Sequence, residues 1–158
     1  METSRFIRRS ALPLAIAGAA LVAAGCGEGR LTKGAYEQRV QADFAEVQAA
    51  FEATRDTSGS RLAERLEAAQ GALRDMAESL ERAEPPEVVE HENEELAEAI
   101  REYAEELEGL VAAAAAGRQP VIDRYNEELA ENEAVEEIAE AAEEMKFKGF
   151  DLGRIAEE

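Results

Sequence analysis

The sequence predicts an all-α protein, arranged as an up-down-up-down antiparallel four-helix bundle. Apolar residues recur at intervals of three and four over four long segments, which is the spacing that lines one face of a helix. The alternation of apolar and polar residues that is typical of a half-buried strand is absent. Short connections separate the segments, and such connections make neighbouring helices antiparallel. A hairpin of longer helices that pairs with a second copy is the alternative architecture.

The first helix is predicted to run from Lys33 to about Thr54. Thr32 stands where an N-cap residue is expected, and Leu31 can pack on Tyr36 across the cap. A loop over residues 55–59 follows. The apolar stripe of this helix comprises Tyr36, Val40, Phe44, Val47 and Phe51.

The second helix is predicted to be capped by Ser60 and to end at Pro85 and Pro86, because the residue before a proline is driven out of the helical region. Its stripe has heptad spacing and comprises Leu62, Leu66, Ala69, Leu73, Met76, Leu80 and Ala83. The third helix starts at Pro86 and stops at Gly117. Its stripe comprises Val89, Leu96, Ile100, Tyr103, Leu107, Leu110 and Ala114.

The fourth helix is predicted to open at Pro120, and its pattern loses a residue around Asn132. The stripe comprises Ile122, Tyr125 and Leu129, then Val135, Ile138, Ala142 and Met145. Strong helix formers on both sides favour one continuous helix, and a separate final helix capped by Asn132 is the alternative. Gly149 marks the end, with Phe150 packing back on Met145. Leu152 and Ile155 are then expected to fold over one end of the bundle.

The first 29 residues have the anatomy of an export signal. Three arginines precede an apolar run over residues 11–24, which is shorter than the roughly 20 residues of a spanning helix. The sequence around Val22-Ala23-Ala24-Gly25-Cys26 resembles the lipobox of bacterial lipoproteins, in which the cysteine is lipidated before cleavage. We therefore expect a lipoprotein signal peptide over 1–25, a lipidated tether over 26–31 and a single helical bundle domain over 32–158. An ordinary secretory signal, and export by a twin-arginine route suggested by Arg8-Arg9, are the alternatives.

The charge of the chain disfavours nucleic acid as a partner. The formal charge is −19, and loss of a leader with three arginines and one glutamate brings it to about −21. Nucleic-acid-binding proteins carry a basic stripe or patch, whereas the basic residues here are scattered among glutamates. The same charge repels anionic headgroups within a Debye length, so we expect the body to stand off the membrane.

The residue inventory argues against catalytic, metal and cofactor sites, and we expect a non-enzymatic protein. One histidine, no tryptophan, one cysteine and no glycine-rich phosphate loop leave nucleophile triads, zinc sites and nucleotide cradles incomplete. A di-iron bundle needs Glu-x-x-His pairs, but Val88 stands three residues before His91. A haem needs an inward histidine. His91 lies between Glu90 and Glu92 in a first turn, so we expect it to be exposed.

Polar residues on the apolar stripes have two interpretations. Asn93 occupies a seam position, where asparagine can fix register, but near a helix end it is expected to reach water. Tyr36, Tyr103 and Tyr125 could line a ligand cleft, although burial of the ring with the hydroxyl at the rim is the more general arrangement. A core rich in alanine predicts close helix packing and no deep small-molecule pocket.

The segment L-T-K-G-A-Y-E-Q-R-V-Q-A-D-F-A-E-V-Q-A-A-F-E-A-T (31–54) and the later P-P-E-V-V-E-H-E-N-E-E-L corner resemble uncharacterised helical lipoproteins of high-GC Gram-positive bacteria. This resemblance implies attachment to the outer face of the cytoplasmic membrane through lipid on Cys26. It implies no other functional residue.

Two classes of function follow from the sequence. The first is a membrane-anchored, non-enzymatic interaction or structural module of the cell envelope, which binds another envelope protein or itself and should carry surplus apolar surface. The alternative is an extracytoplasmic binding protein for a small or cationic ligand, which should carry a pocket where carboxylates converge away from solvent.

Overall fold

The computed structural model describes residues 29–128 and 132–156, so the predicted signal peptide and Cys26 lie outside the described residues. This part of the chain is all-α, with no strand. Its α-helices are α1 (Lys33–Glu52), α2 (Ser60–Arg82), α3 (Glu90–Ala115), α4 (Gln119–Glu128) and α5 (Glu133–Phe147). Short 3-10 helices cover Glu87–Val89 and Gly153–Ala156.

The last predicted helix is divided into two, so the expectation of one continuous helix is wrong. Asn132 has extended backbone angles, and its side chain accepts a hydrogen bond from the Val135 amide at 3.1 Å. It is therefore the N-cap of α5, which is the alternative that the sequence left open. A capping asparagine outweighs the helix propensity of the neighbouring glutamates and alanines because it satisfies an amide that otherwise has no partner.

The other predicted helix ends agree with the structure except at two places. Thr32 caps α1 by accepting from the Ala35 amide. Ser60 is not a cap: it is the first residue of α2, and Gly59, at φ +62°, occupies the capping position without a side-chain bond. The third helix begins as a 3-10 turn and becomes α-helical only at Glu90.

The predicted stripes form the core. α1 lies along α2, α2 along α3 and α3 along α5, while α4 packs mainly on the end of α3. The stripe residues of α3 and nearly all those of α2 are buried, with Leu62 half-buried. The prediction that Val135 is a core residue is wrong, because 38% of its surface is exposed. Leu129 lies outside the described residues.

The two ends of this helical body differ. At one end, which we call the tether end, α1 and α3 begin and α2 and α5 finish. There the Leu31 amide donates to the Glu84 carbonyl at 2.7 Å. At the opposite end, the far end, α1 finishes and α2 begins, joined by residues 53–59.

Candidate functional site

The C-terminal tail (150–156) is held against α1 by three side chains one helical turn apart. Lys33 Nζ donates to the Gly149 carbonyl at 2.5 Å, Glu37 accepts from the Asp151 amide at 2.8 Å, and Gln41 donates to the Asp151 carbonyl at 2.8 Å. Because residues i, i+4 and i+8 share one helix face, this ladder fixes the direction of the tail along α1. The tail runs from the tether end towards the far end.

The start of the tail confirms the predicted helix end. Gly149 has φ +88°, and the Phe150 amide donates to the Met145 carbonyl at 3.0 Å, as in a Schellman motif. The Phe150 ring is buried and meets Tyr36 edge-on, with ring centroids 6.0 Å apart. Leu152 is only 2% exposed.

Beyond the tail, the space between α1 and α5 is open. Within the described ranges, these two helices pack on each other little or not at all at the level of their backbones. The tail covers this gap near the tether end, and from Ile155 onward a groove of about 530 Å³ remains. We call it the apolar groove, and it is lined by Phe44, Val47, Gln48, Phe51, Glu52, Thr54, Arg55, Leu73, Met76, Ile100, Tyr103, Val135, Ile138, Ala139 and Ile155.

Stacked aromatic rings and buried core residues form the walls of the apolar groove, and its lining is mostly apolar. Phe51 stacks on Tyr103 with ring centroids 6.2 Å apart and planes 21° from parallel. Leu73 and Met76 are buried core residues that also line the groove. The expectation of close helix packing is thus wrong between α1 and α5, where an open groove rather than a deep pocket separates the two helices.

A buried polar cluster lies beside the start of the tail. Tyr36, fully buried, donates its hydroxyl hydrogen to Asn93 Oδ1 at 3.0 Å, and Asn93 Nδ2 donates to the Leu80 carbonyl at 3.1 Å. Two expectations are therefore wrong: Asn93 is 4% exposed and does not reach water, and the Tyr36 hydroxyl is not at a rim. Burial, and then the nearby charge of Glu92, raise the pKa of Tyr36 well above its ordinary value.

The same region contains a buried ion pair. The Glu92 side chain is 4% exposed, and its Oε1 accepts from Lys148 Nζ across α3 and the end of α5. Burial acts to raise the pKa of Glu92, but the hydrogen bond and charge of Lys148 outweigh it, and the pKa lies below its ordinary value. This pair and the Tyr36–Asn93 bond join α1, α3 and the end of α5, and Glu92 Oε2 is buried without a hydrogen-bond partner among the described atoms.

A second groove, of about 450 Å³, lies between α3 and α5 and is lined almost entirely by carboxylates. Its lining comprises Glu95, Glu98, Ala99, Glu102, Glu137, Glu140, Ala141 and Glu144. Partial desolvation, followed by the charges of Glu102 and Glu133, raises the pKa of Glu137. These glutamates are exposed, and residues 29–128 and 132–156 contain no group of three or more side chains that could hold a metal ion.

The remaining candidate residues do not form a site. His91 is 74% exposed and faces Glu95, with Nε2 3.2 Å from Oε1, as expected for a first-turn histidine. The Tyr125 hydroxyl is buried against α3 and has no hydrogen-bond partner among the described atoms, and burial raises its pKa. Tyr103 lies at the groove wall. Neither the apolar groove nor the buried polar cluster could have been found from the sequence, because each depends on how helices that are distant in sequence pack together.

Comparisons of the chain with models of known protein families, with curated proteins and with solved structures give no match. In the portion that the structure describes, no helix is both long enough and apolar enough to cross a bilayer. The grooves and surfaces of the described residues are therefore the basis for the proposed function.

Proposed function

We propose that this protein is a membrane-anchored extracytoplasmic lipoprotein that acts as a non-enzymatic interaction module of the cell envelope. In this proposal lipid on Cys26 holds the protein at the membrane, and the apolar groove binds an apolar segment of another envelope protein. The observation that carries it is the groove itself. Its floor includes buried core residues such as Leu73 and Met76, and half-buried Phe44, Phe51 and Ile138 with exposed Val135 present apolar side chains to the open space.

The proposed architecture is an up-down-up-down antiparallel bundle of α1, α2, α3 and α5, opened between α1 and α5. Hydrogen bonds from Leu31 to Glu84 and from Asn93 to Leu80, together with the Lys148–Glu92 pair, support antiparallel neighbours at the tether end. α4 is an addition at the far end of α3.

The chemistry of the partner follows from the tail. Phe150, Leu152 and Ile155 already occupy the first half of the same gap as an apolar segment whose backbone is held by α1. A partner segment of the same apolar character can continue along the gap. Since the body carries a formal charge near −21, basic residues flanking that segment would be attracted and acidic ones repelled.

The alternative is an extracytoplasmic binding protein for a small or cationic ligand, and its cationic form has weaker support. The acidic groove brings six glutamates together, but they are exposed to water and do not converge as a metal site. A solvated carboxylate face that keeps the protein soluble explains them without a ligand.

The test places a photo-crosslinking phenylalanine derivative at Val135, which lines the groove and is 38% exposed. A matched variant carries it at Ala68, on the exposed face of α2. We expect the Val135 variant alone to form adducts in cells. Mass spectrometry should place them on an apolar segment with basic flanks, and Ile138→Glu in the same protein should weaken capture at least about tenfold because it adds an unpaired charge to an apolar contact. Adducts at both positions, or none at Val135, would refute the groove as the binding site.

Lipidation is tested separately by radiolabelled palmitate in cells. We expect label on the wild-type protein and none on Cys26→Ala, together with release of the variant from the membrane fraction. Equal membrane retention of the variant would contradict the proposed anchor.

A further inference from the structure

Two large apolar side chains are exposed at the tether end. Phe147, the last residue of α5, is 94% exposed, and Val88, in the 3-10 turn before α3, is 58% exposed. The third residue of this kind in the described chain, Val135, belongs to the apolar groove. A single exposed apolar side chain is common on protein surfaces, so the position of Phe147 relative to the chain entry, rather than its exposure alone, suggests a role outside the folded body.

The chain enters the folded body at this same end. Arg30 donates to the Pro85 carbonyl at 3.0 Å and to Glu90 Oε2 at 2.8 Å, so it spans the corner that carries Val88. Leu31 is bonded to Glu84 on the other side of that corner. Cys26 is three positions before Gly29, a reach of at most about 11 Å. A lipid on Cys26 would therefore be held within about that distance of Gly29, at the same end of the body as Val88.

The lysines are concentrated at the tether end as well. The chain has three, Lys33, Lys146 and Lys148, and two of them flank Phe147. Lys33 bonds to the Gly149 carbonyl and lies 3.7 Å from Glu37, and Lys148 pairs with Glu92. Arg30, Lys33 and Lys148 each pair with a carboxylate. Glu84 and Glu87 beside Val88 are exposed, so the basic residues reduce the electrostatic repulsion from an anionic membrane at this end but do not cancel it.

We infer that the tether end is a membrane-contact surface, in which Phe147 and Val88 enter the headgroup region of the bilayer that holds the lipid anchor. This inference rests on the proposed lipidation of Cys26. An exposed aromatic ring suits that region, because it can lie among the upper acyl carbons at the level of the headgroups. One aromatic ring binds a bilayer too weakly to hold a protein there. The lipid anchor keeps Phe147 at a high effective concentration beside the bilayer, so the ring sets the orientation of the protein.

This contact modifies the expectation, drawn from the net charge, that the body stands off the membrane. The body as a whole is repelled by anionic lipid, and the tether end is the one face that touches it. The body then stands upright, with the far end of the apolar groove directed away from the bilayer.

The absence of tryptophan makes a direct test possible. Phe147→Trp places a single fluorophore at the tip, and Ser58→Trp places one in the α1–α2 connection at the far end as a matched control. Both are made as full-length, lipidated protein and reconstituted into vesicles of phosphatidylcholine and phosphatidylglycerol (7:3, roughly physiological in surface potential), with or without brominated acyl chains. Because both sites are exposed, circular dichroism should show unchanged helix content.

We expect emission from Trp at position 147 to shift to the blue and to lose roughly half its intensity in brominated vesicles, while the control is unchanged. Adding Val88→Glu should reduce the quenching. Vesicle flotation separates the possible failures. Protein that fails to float overturns both the lipid anchor and this inference, whereas floating protein with no quenching at position 147 overturns the membrane contact alone. A blue shift without quenching that grows with protein concentration would assign Phe147 to a second copy instead.

Discussion

Replacing Asn93 by alanine should destabilise the protein far more than a substitution at a water-exposed asparagine. The side chain makes two buried hydrogen bonds, one accepted from the Tyr36 hydroxyl and one donated to the Leu80 carbonyl. Each contributes about 1 kcal/mol net, and an unsatisfied buried hydroxyl costs about 1–3 kcal/mol more. The Leu80 carbonyl keeps its bond from the Ala83 amide, so only the tyrosine is left without a good partner.

We therefore expect the free energy of unfolding to fall by about 2–4 kcal/mol in Asn93→Ala and by about 1–2 kcal/mol in Tyr36→Phe. The double variant should lose less than the sum, with a coupling energy near 1 kcal/mol, because the same hydrogen bond is removed only once. The assay is urea unfolding followed by circular dichroism, on mature protein carrying Cys26→Ser, with exposed Glu94→Ala as the control within about 0.5 kcal/mol. A cost below about 0.5 kcal/mol for Asn93→Ala would mean that the site is hydrated and that the reasoning is wrong.

Three further predictions concern α5 and the tail. Lys148→Gln should lower stability at neutral pH by about 1–3 kcal/mol. It should also invert the response to acid. The wild type loses the stabilising Glu92 contribution as pH falls below about 4.5, because its folded-state pKa is depressed. In the variant burial alone raises that pKa, so stability is gained as pH falls towards about 4.5, and unfolding curves at several pH values measure both. Leu152→Ala should cost about 2–4 kcal/mol and loosen the tail, read as faster amide exchange near Asp151. Asn132→Ala should cost about 1 kcal/mol through loss of the α5 cap, and Asn132→Ser should recover most of it, as measured by thermal unfolding. Serine is chosen over aspartate because Asn132 Nδ2 donates to the Glu106 carboxylate, which would repel a second carboxylate.

The periodicity of the sequence was sufficient for the core but not for the grooves. A stripe such as that of α3 identifies the face that leaves water, since a helix has only one apolar side to bury. It does not specify how far apart two helices stand when they are distant in sequence. The gap between α1 and α5 depends on which side of α3 accepts α5, and that is decided by pairs such as Lys148–Glu92 rather than by the stripe.

The wrong local predictions have a similar cause. Serine is a residue type that commonly caps helices, but the turn before Ser60 places a glycine in the capping position. Asn93 stands near a helix end, where water is usually within reach, yet Tyr36 covers it from α1. In each case the deciding neighbour comes from another segment or from a backbone angle that the amino-acid type does not specify.

The attachments of the tail join residues separated by 110 to 116 positions, so the last residues of the chain complete the covering of its first helix. A ribosome or a translocation channel releases the N-terminal end first. α1 then lacks the cover over Tyr36 until residues 149–152 have been synthesised or exported. Final closure is thus a late event on the folding pathway, and shortening the C-terminus by a few residues should leave a species that exposes its interior to proteases.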